Sequence, residues 1–406
     1  MGQVSFRRVL LLAGTSSLIL VYLILWGKMI VDPVQRSATD FIAYYAAGRV
    51  ARSAGFSHVY DAGLIQLAQE RVVGFPLLEG QVLLYNNVPF LVPVVALFAG
   101  DNYAVSFLAW SLIMLLCFLA AISLLGFIFH DHGWKKPDIL TTCLGLLVFF
   151  PLFISLLNGQ NSGLTTLGLS LWLYGLLSRR WWLAGLGLAL VTVRPQVALV
   201  LSVPFLFKYR KVFLWFAVGA GSLMILGWLA VGSNGMHNFL QTLLVSARGS
   251  FFGMQEGAMV NLIGMLIRIF PAWHQESIHW VGWIAYLLIL VLFSFVWEKT
   301  SHLDERYYGL AVCAALFFSP HLHYHDAALL IVPISCLVLY ITRGGLVKAH
   351  TSSLIPLILS LFLILASLVP GIKFNLPILL MLFLAVSPWI WNRFTLPAAR
   401  SSQENG

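Results

Sequence analysis

Long apolar stretches alternate with short polar breaks along almost the whole chain, from Val9 to Trp391. A run of about 20 apolar residues lets a helix cross a bilayer, because each backbone N–H and C=O then finds its partner inside the segment. Such runs fall roughly at 9–30, 82–100, 103–129, 139–157, 164–178, 182–207, 212–232, 280–297, 306–319, 326–342, 353–370 and 374–391. They predict an all-α polytopic membrane protein, a bundle of about 12 transmembrane helices in a single integral-membrane domain over 1–406. The first run follows Arg7 and Arg8, is long for a signal core, and lacks a small-x-small cleavage site before Asp32, so it is expected to be an uncleaved anchor.

Two stretches depart from this rhythm. Residues 31–81 are polar, and helix-period patterns at Thr39–Arg52 and Asp61–Val73 predict two juxtamembrane helices there. In the first, Tyr45, Arg49 and Arg52 share one face. Residues 233–279 hold apolar pieces too short to span, and are expected as surface helices or a re-entrant piece on the same side as the first loop. Within this scheme 82–232 and 280–391 form the bundle, and 392–406 is a cytoplasmic tail.

Composition sharpens the class. Hydrophobic residues make up 60% of the chain and charged ones 10%, against about a quarter charged in soluble domains. The net charge of +9 sits at helix ends such as KYRK at 208–211, where orientation and anionic headgroups account for it without nucleic acid. The positive-inside rule puts both termini in the cytoplasm of a multi-pass cell-membrane protein, with 31–81 extracytoplasmic. Two basic breaks, 130–138 and Arg179–Arg180, conflict with that rule if 182–207 is one span. They agree with it if the run turns back at Arg194–Pro195 and an earlier run fails to cross. The single span is the expected arrangement. Four isolated cysteines with no C-x-x-C argue against disulfides and thiolate metal sites.

Chemistry concentrates in few places. Of 15 acidic residues, five lie within 31–81: Asp32, Asp40, Asp61, Glu70 and Glu79. Asp40 precedes an apolar helix, which suits either an N-cap or a general base on an acceptor hydroxyl. Arg194 lies within an apolar run beside Pro195, where a guanidinium needs an anion, a cavity or an ion pair. A phosphate fits it bidentately. The break 158–166, with Gln160 and Asn161, reads as a helix–helix turn or an amide-lined patch for a sugar or headgroup. His321, His323 and His325, followed by Asp326, suit a phosphate or acceptor contact, a proton relay, or solvated interface positions. Their spacing does not specify a metal site, and no metal or other cofactor is expected. No phosphate-binding glycine loop followed by Lys and Ser or Thr occurs, which disfavours a nucleotide-driven machine.

Taken in order, DFIAYYAAGRVARSAG with VYD, LLYNNVPFLVPVVALF, NGQNSG, LALVTVRPQVALVL and SPHLHYHDAALLIVP resemble the polyprenyl-phosphate-dependent glycosyltransferases of family 87, relatives of the mycobacterial phosphatidylinositol mannosyltransferases. The resemblance runs from about residue 38 to 335. It implies a GT-C-like fold with a catalytic aspartate in the first extracytoplasmic loop, matched by Asp40. It also implies transfer of a hexosyl, specifically mannosyl, unit from a polyprenyl-phosphate-linked sugar donor in the membrane lipid to a glycolipid or glycan acceptor. Arg194 falls at the family's basic residue before proline. With His321, His323, His325, Tyr44, Tyr45, Arg49, Gln160 and Asn161 it completes the expected donor-phosphate and substrate-binding set. Departures occur where Tyr85-Asn86-Asn87 replaces a Tyr-Pro-Pro and where the late motif lacks its tryptophan. A transporter or flippase of a lipid-linked or anionic solute is the alternative, weakened by the lack of a second copy of the first loop.

Overall fold

The computed structural model describes residues 6–32, 34–35, 38–247, 256–345, 347–367 and 375–395. Arg36, the middle of the late polar segment and the tail from 396 onward lie outside the described residues. Among the described residues the regular elements are all helical. They begin with α1 (Phe6–Val31), α2 (Phe41–Ser53), α3 (Ala62–Val73), α4 (Val92–Phe98), α5 (Tyr103–Asp131), α6 (Lys136–Leu147) and α7 (Phe150–Leu157). The chain continues through α8 (Ser162–Leu177), α9 (Trp181–Val191), α10 (Pro195–Ser202), α11 (Arg210–Ala247), α12 (Leu262–Ile269) and α13 (Gln275–Lys299). After α14 (Glu305–Phe317), a 3₁₀ segment (Tyr324–Leu330) leads into α15 (Ile331–Arg343), followed by α16 (Ala349–Ser352), α17 (Ile355–Ser367) and α18 (Leu376–Thr395).

Six helices among the described residues are long and apolar enough to cross a membrane, or seven if the pair α6–α7, bent by 44°, is one span. This is fewer than the dozen hydropathy runs, because polar turns and prolines divide several runs into helices of 10–17 residues. The protein is therefore an all-helical membrane protein whose bundle mixes full-length and broken helices.

Two runs behave differently from the sequence expectation. The run 182–207 is not a single span. Its helix stops at Val191, and a new one starts at Pro195. Twenty-six residues of straight helix would hold its ends about 39 Å apart, yet the Trp181 and Tyr209 rings stack with centroids 4.9 Å apart. The chain enters, turns at Arg194–Pro195, whose ring cannot continue the helix, and returns. The run 82–100 does not cross either. Its helical part, Pro89–Phe98, is about 15 Å long and lies against α2, where a Cβ at Gly48 would fall on Ala99 and the Val95 carbonyl.

These reversals sort the polar breaks onto two faces. On one, His132 bonds Glu305, Glu305 bonds Arg343, and Lys208 Nζ reaches the Thr300 carbonyl. Residues 130–138 and Arg179–Arg180 thus join KYRK, and the conflict over charge disappears. The other face gathers the loop after α1, the 158–161 turn, Arg194 and the 319–326 segment. The late segment packs there too, with Asn86 Nδ2 donating to Ser246 Oγ at 2.9 Å and Phe239 beside Tyr60.

Candidate active site

Asp40 occupies the position before α2, but its side chain caps nothing. The first helical N–H, that of Phe41, donates instead to the Asn158 carbonyl at 3.1 Å, so the N-cap reading of Asp40 fails and its carboxylate is spared for other contacts. The turn that supplies this carbonyl needs Gly159. Its φ is 64°, and a Cβ there would sit 2.6 Å from Phe41 Cβ. Trp110, fully buried, donates its indole N–H to the Gly159 carbonyl at 2.8 Å and fixes the same turn from below. An aromatic cluster of Phe41, Tyr44, Phe107 and Trp110 thereby sets where Asp40 points.

Gln160, next in that turn, joins the two halves of the site. Its Nε2 donates to Asp40 Oδ2 at 2.7 Å. Its Oε1 accepts from Tyr44 Oη at 3.2 Å and from Arg194 Nη2 at 3.4 Å. A carboxylate on one side and two donors on the other leave the amide a single orientation. Burial pushes the Tyr44 phenol up to about 12, which keeps it a neutral donor. Asn161, also fully buried, donates to Asn87 Oδ1 at 2.9 Å, the same oxygen that Tyr44 approaches.

Arg194, placed by the break between α9 and α10, donates Nε and Nη2 to Asp326 Oδ1 at 3.2 and 2.8 Å. Asp326 is 3% exposed and Arg194 14%, so each charge is sheltered and answered by the other. Asp326 also accepts from Ser162 Oγ at 3.3 Å and, through Oδ2, from the His323 amide at 3.3 Å, which starts the 3₁₀ turn. Arg194 Nη1 makes no hydrogen bond to the described residues.

The three histidines lie in a row where the irregular stretch 319–323 runs into the 3₁₀ turn that carries His325. The rings of His321 and His323 are 4.8 Å apart and those of His323 and His325 5.7 Å. The late segment holds the strip in place: Val260 N donates to Leu322 O, and Asn261 Nδ2 to Ser319 O. Burial, then the neighbouring imidazole, push His321 down to about 3 and His323 down to about 4, so both are neutral near pH 7. His325 stands between the two carboxylates, with Nδ1 3.7 Å from Asp40 Oδ2 and Nε2 3.5 Å from Asp326 Oδ2.

Asp40, Tyr44, Gln160, Asn161, Arg194, His323 and His325 thus form one connected group, with His321 at its edge. Tyr45 and Arg49 are not part of it. Tyr45 Oη donates to the Gly100 carbonyl at 2.8 Å, and Arg49 pairs with Asp101 at the surface. With Arg52, which donates to the Ala99 carbonyl, that face of α2 ties the helix to the 99–101 turn. Sequence reasoning left three members out of the site: Asp326, Asn87 and Ser162. Asp326 carried a usable signal, since an acid at the start of an apolar run demands a cation. Ser162 sits in the polar break 158–166 but nothing in its spacing links it to Asp326, and Asn87 is brought near by the fold alone.

Chemically, the group offers a half-exposed carboxylate, with Asp40 39% exposed, beside a sheltered guanidinium whose Nη1 has no partner among the described residues. Among the described residues Asp40 Oδ1 accepts no hydrogen bond, which leaves it able to take a proton from an incoming hydroxyl.

Residues 85–320 match the family model described as glycosyltransferase family 87, more than half of the chain. The matched stretch contains Asn87, Gln160, Asn161 and Arg194, and ends just before His321; Asp40 precedes it. No curated protein and no solved structure matches the chain.

Proposed function

The chain belongs to glycosyltransferase family 87, and from that premise we propose that it moves a hexosyl unit, mannosyl by its resemblance, from a polyprenyl-phosphate sugar to a hydroxyl of a glycolipid or glycan on the extracytoplasmic face, within a GT-C-like fold. Asp40 takes the acceptor proton on Oδ1. The resulting oxygen attacks the anomeric carbon, the bond from that carbon to the phosphate oxygen breaks, and the phosphate leaves with the electron pair. Displacement in line inverts the anomeric centre. Arg194 Nη1, with His321 or His323 as neutral donors, faces the charge that develops on the departing phosphate. His325 and Gln160 hold the Asp40 carboxylate.

The observation that supports this reading is Gln160, which spans from the Asp40 carboxylate at 2.7 Å to the Arg194 guanidinium at 3.4 Å. Base and leaving-group cation thus share one wall on one membrane face. The test is Asp40→Asn in purified, reconstituted protein supplied with a polyprenyl-phosphate sugar. Turnover is expected to fall by about 100-fold or more, with donor-lipid binding retained. Turnover close to that of the parent protein removes Asp40 from the chemistry.

A further inference from the structure

One cavity lies far from Asp40. It encloses about 780 Å³ between the start of α6 and the end of α15, and His132, Trp134, Lys135, Asp138, Arg343 and His350 line it. We propose that this cavity binds a phosphate-bearing anion at the membrane face opposite the Asp40 group, as a lipid headgroup or a free phosphate ester would present one.

Its position follows from α5. Tyr103, at one end, lies 3.4 Å from Thr39 Oγ1, next to Asp40. His132 directly follows Asp131, the other end of this 29-residue helix, about 42 Å away. The two sites therefore open to different sides of a bilayer whose hydrocarbon core is about 30 Å thick.

Charge decides the ligand class. His132 Nδ1 is 2.8 Å from the Ile128 carbonyl, and Nε2 is 3.1 Å from Glu305 Oε1. Both neighbours only accept, which favours donation from both nitrogens, and the Glu305 hydrogen bond raises the ring above the ordinary imidazole range, towards the imidazolium form. Glu305 is 2% exposed, and the same Oε1 also receives Arg343 Nη1 at 3.2 Å, which keeps it ionised. Arg343 remains 65% exposed and meets Glu305 through Nη1. Around the cavity, His132, Lys135 and Arg343 supply three positive charges against the carboxylates of Glu305 and Asp138, with His350 at the rim. Asp138 lies in the first turn of α6, where a carboxylate already answers the helix dipole. The excess is cationic. Basic pockets between helices at a membrane surface recruit anionic headgroups, and the volume suits a headgroup-sized ligand.

The inference does not depend on glycosyl transfer and is tested by binding. Full-length protein in phosphatidylcholine nanodiscs is titrated with inorganic phosphate, and separately compared with nanodiscs containing phosphatidylglycerol, reading the thermal midpoint and lipid retained in native mass spectrometry. The expected result is a rise in midpoint with one or both probes and retained phosphatidylglycerol. A response to phosphate identifies a free phosphate ester as a competent ligand, whereas a response to phosphatidylglycerol alone assigns the site to a lipid headgroup. Lys135→Gln leaves the His132–Glu305–Arg343 contacts intact and is expected to weaken the response at least fivefold, as is Arg343→Gln. Arg71→Gln, on the opposite face, is expected to leave it unchanged. No midpoint shift with either probe, or equal responses from Lys135→Gln, Arg343→Gln and the parent, overturns the proposal.

Discussion

Replacing Asp326 with asparagine isolates the electrostatic contribution at the centre of the site. Asparagine can keep its oxygen at the Oδ1 position for Ser162 Oγ and Arg194 but then sets an NH2 against the His323 amide, so the change removes the charge opposite Arg194 together with that one weak 3.3 Å contact. Two unit charges with centres about 4 Å apart at an effective dielectric constant of about 20 attract by about 4 kcal/mol. Removing one partner of a sheltered pair typically costs about 3–5 kcal/mol, and with Asp326 at 3% and Arg194 at 14% exposure the pair belongs in that class. Asp326→Asn is therefore expected to lower stability by about 3–5 kcal/mol. Arg194→Met added to it removes the stranded cation and is expected to restore stability to within about 2 kcal/mol of the parent. Reversible unfolding in mild detergent, followed by far-ultraviolet circular dichroism, measures both. The same double variant, assayed for glycosyl transfer, is expected to stay folded yet lose turnover, because no guanidinium faces the departing phosphate. Strictly additive losses in the double variant would refute the pairing argument. Recovered turnover would refute the role given to Arg194.

Gln160→Leu leaves Asp40 in place without its 2.7 Å donor. Misorienting a reacting group by about 1 Å costs on the order of 100-fold, so steady-state assays should show a lower kcat at near-constant donor affinity. Gly159→Ala puts a Cβ 2.6 Å from Phe41 in a left-handed turn and is expected to destabilise the protein by about 1–3 kcal/mol. Its loss of transfer should persist at temperatures where circular dichroism shows it fully folded, because Phe41 carries Asp40 with it. Stability should also depend on pH through His321 and His323. Their folded values, about 3 and about 4, lie below the ordinary 6.5, so between those limits the unfolded chain binds protons that the folded one refuses. Stability is fully present above about pH 6.5 and declines as pH falls towards 4. Thermal midpoints across that window should flatten in a His321→Gln/His323→Gln variant, and an unchanged slope would mean that both rings are protonated when folded.

Hydropathy period alone identified an all-helical membrane protein, because bilayer thickness and backbone hydrogen bonding impose run length on any sequence that crosses. Local chemistry also placed the two helices of the first loop to within two residues of their observed ends, and singled out Asp40, Arg194, Gln160 and the histidine row as polar groups in apolar surroundings. What it left undecided was direction. A proline after Arg194 is compatible with a kinked span or with a reversal, and the stacking of Trp181 on Tyr209 selects the reversal. The same limit explains Tyr45 and Arg49, whose helical face was evident while its partners in the 99–101 turn were not. Asp326 was passed over as a site residue because its partner lies 132 residues away. Composition and period act within one turn or one span. Which carboxylate meets which guanidinium depends on where separate helix ends arrive, and that was settled only when the folded bundle brought Gln160 between Asp40 and Arg194.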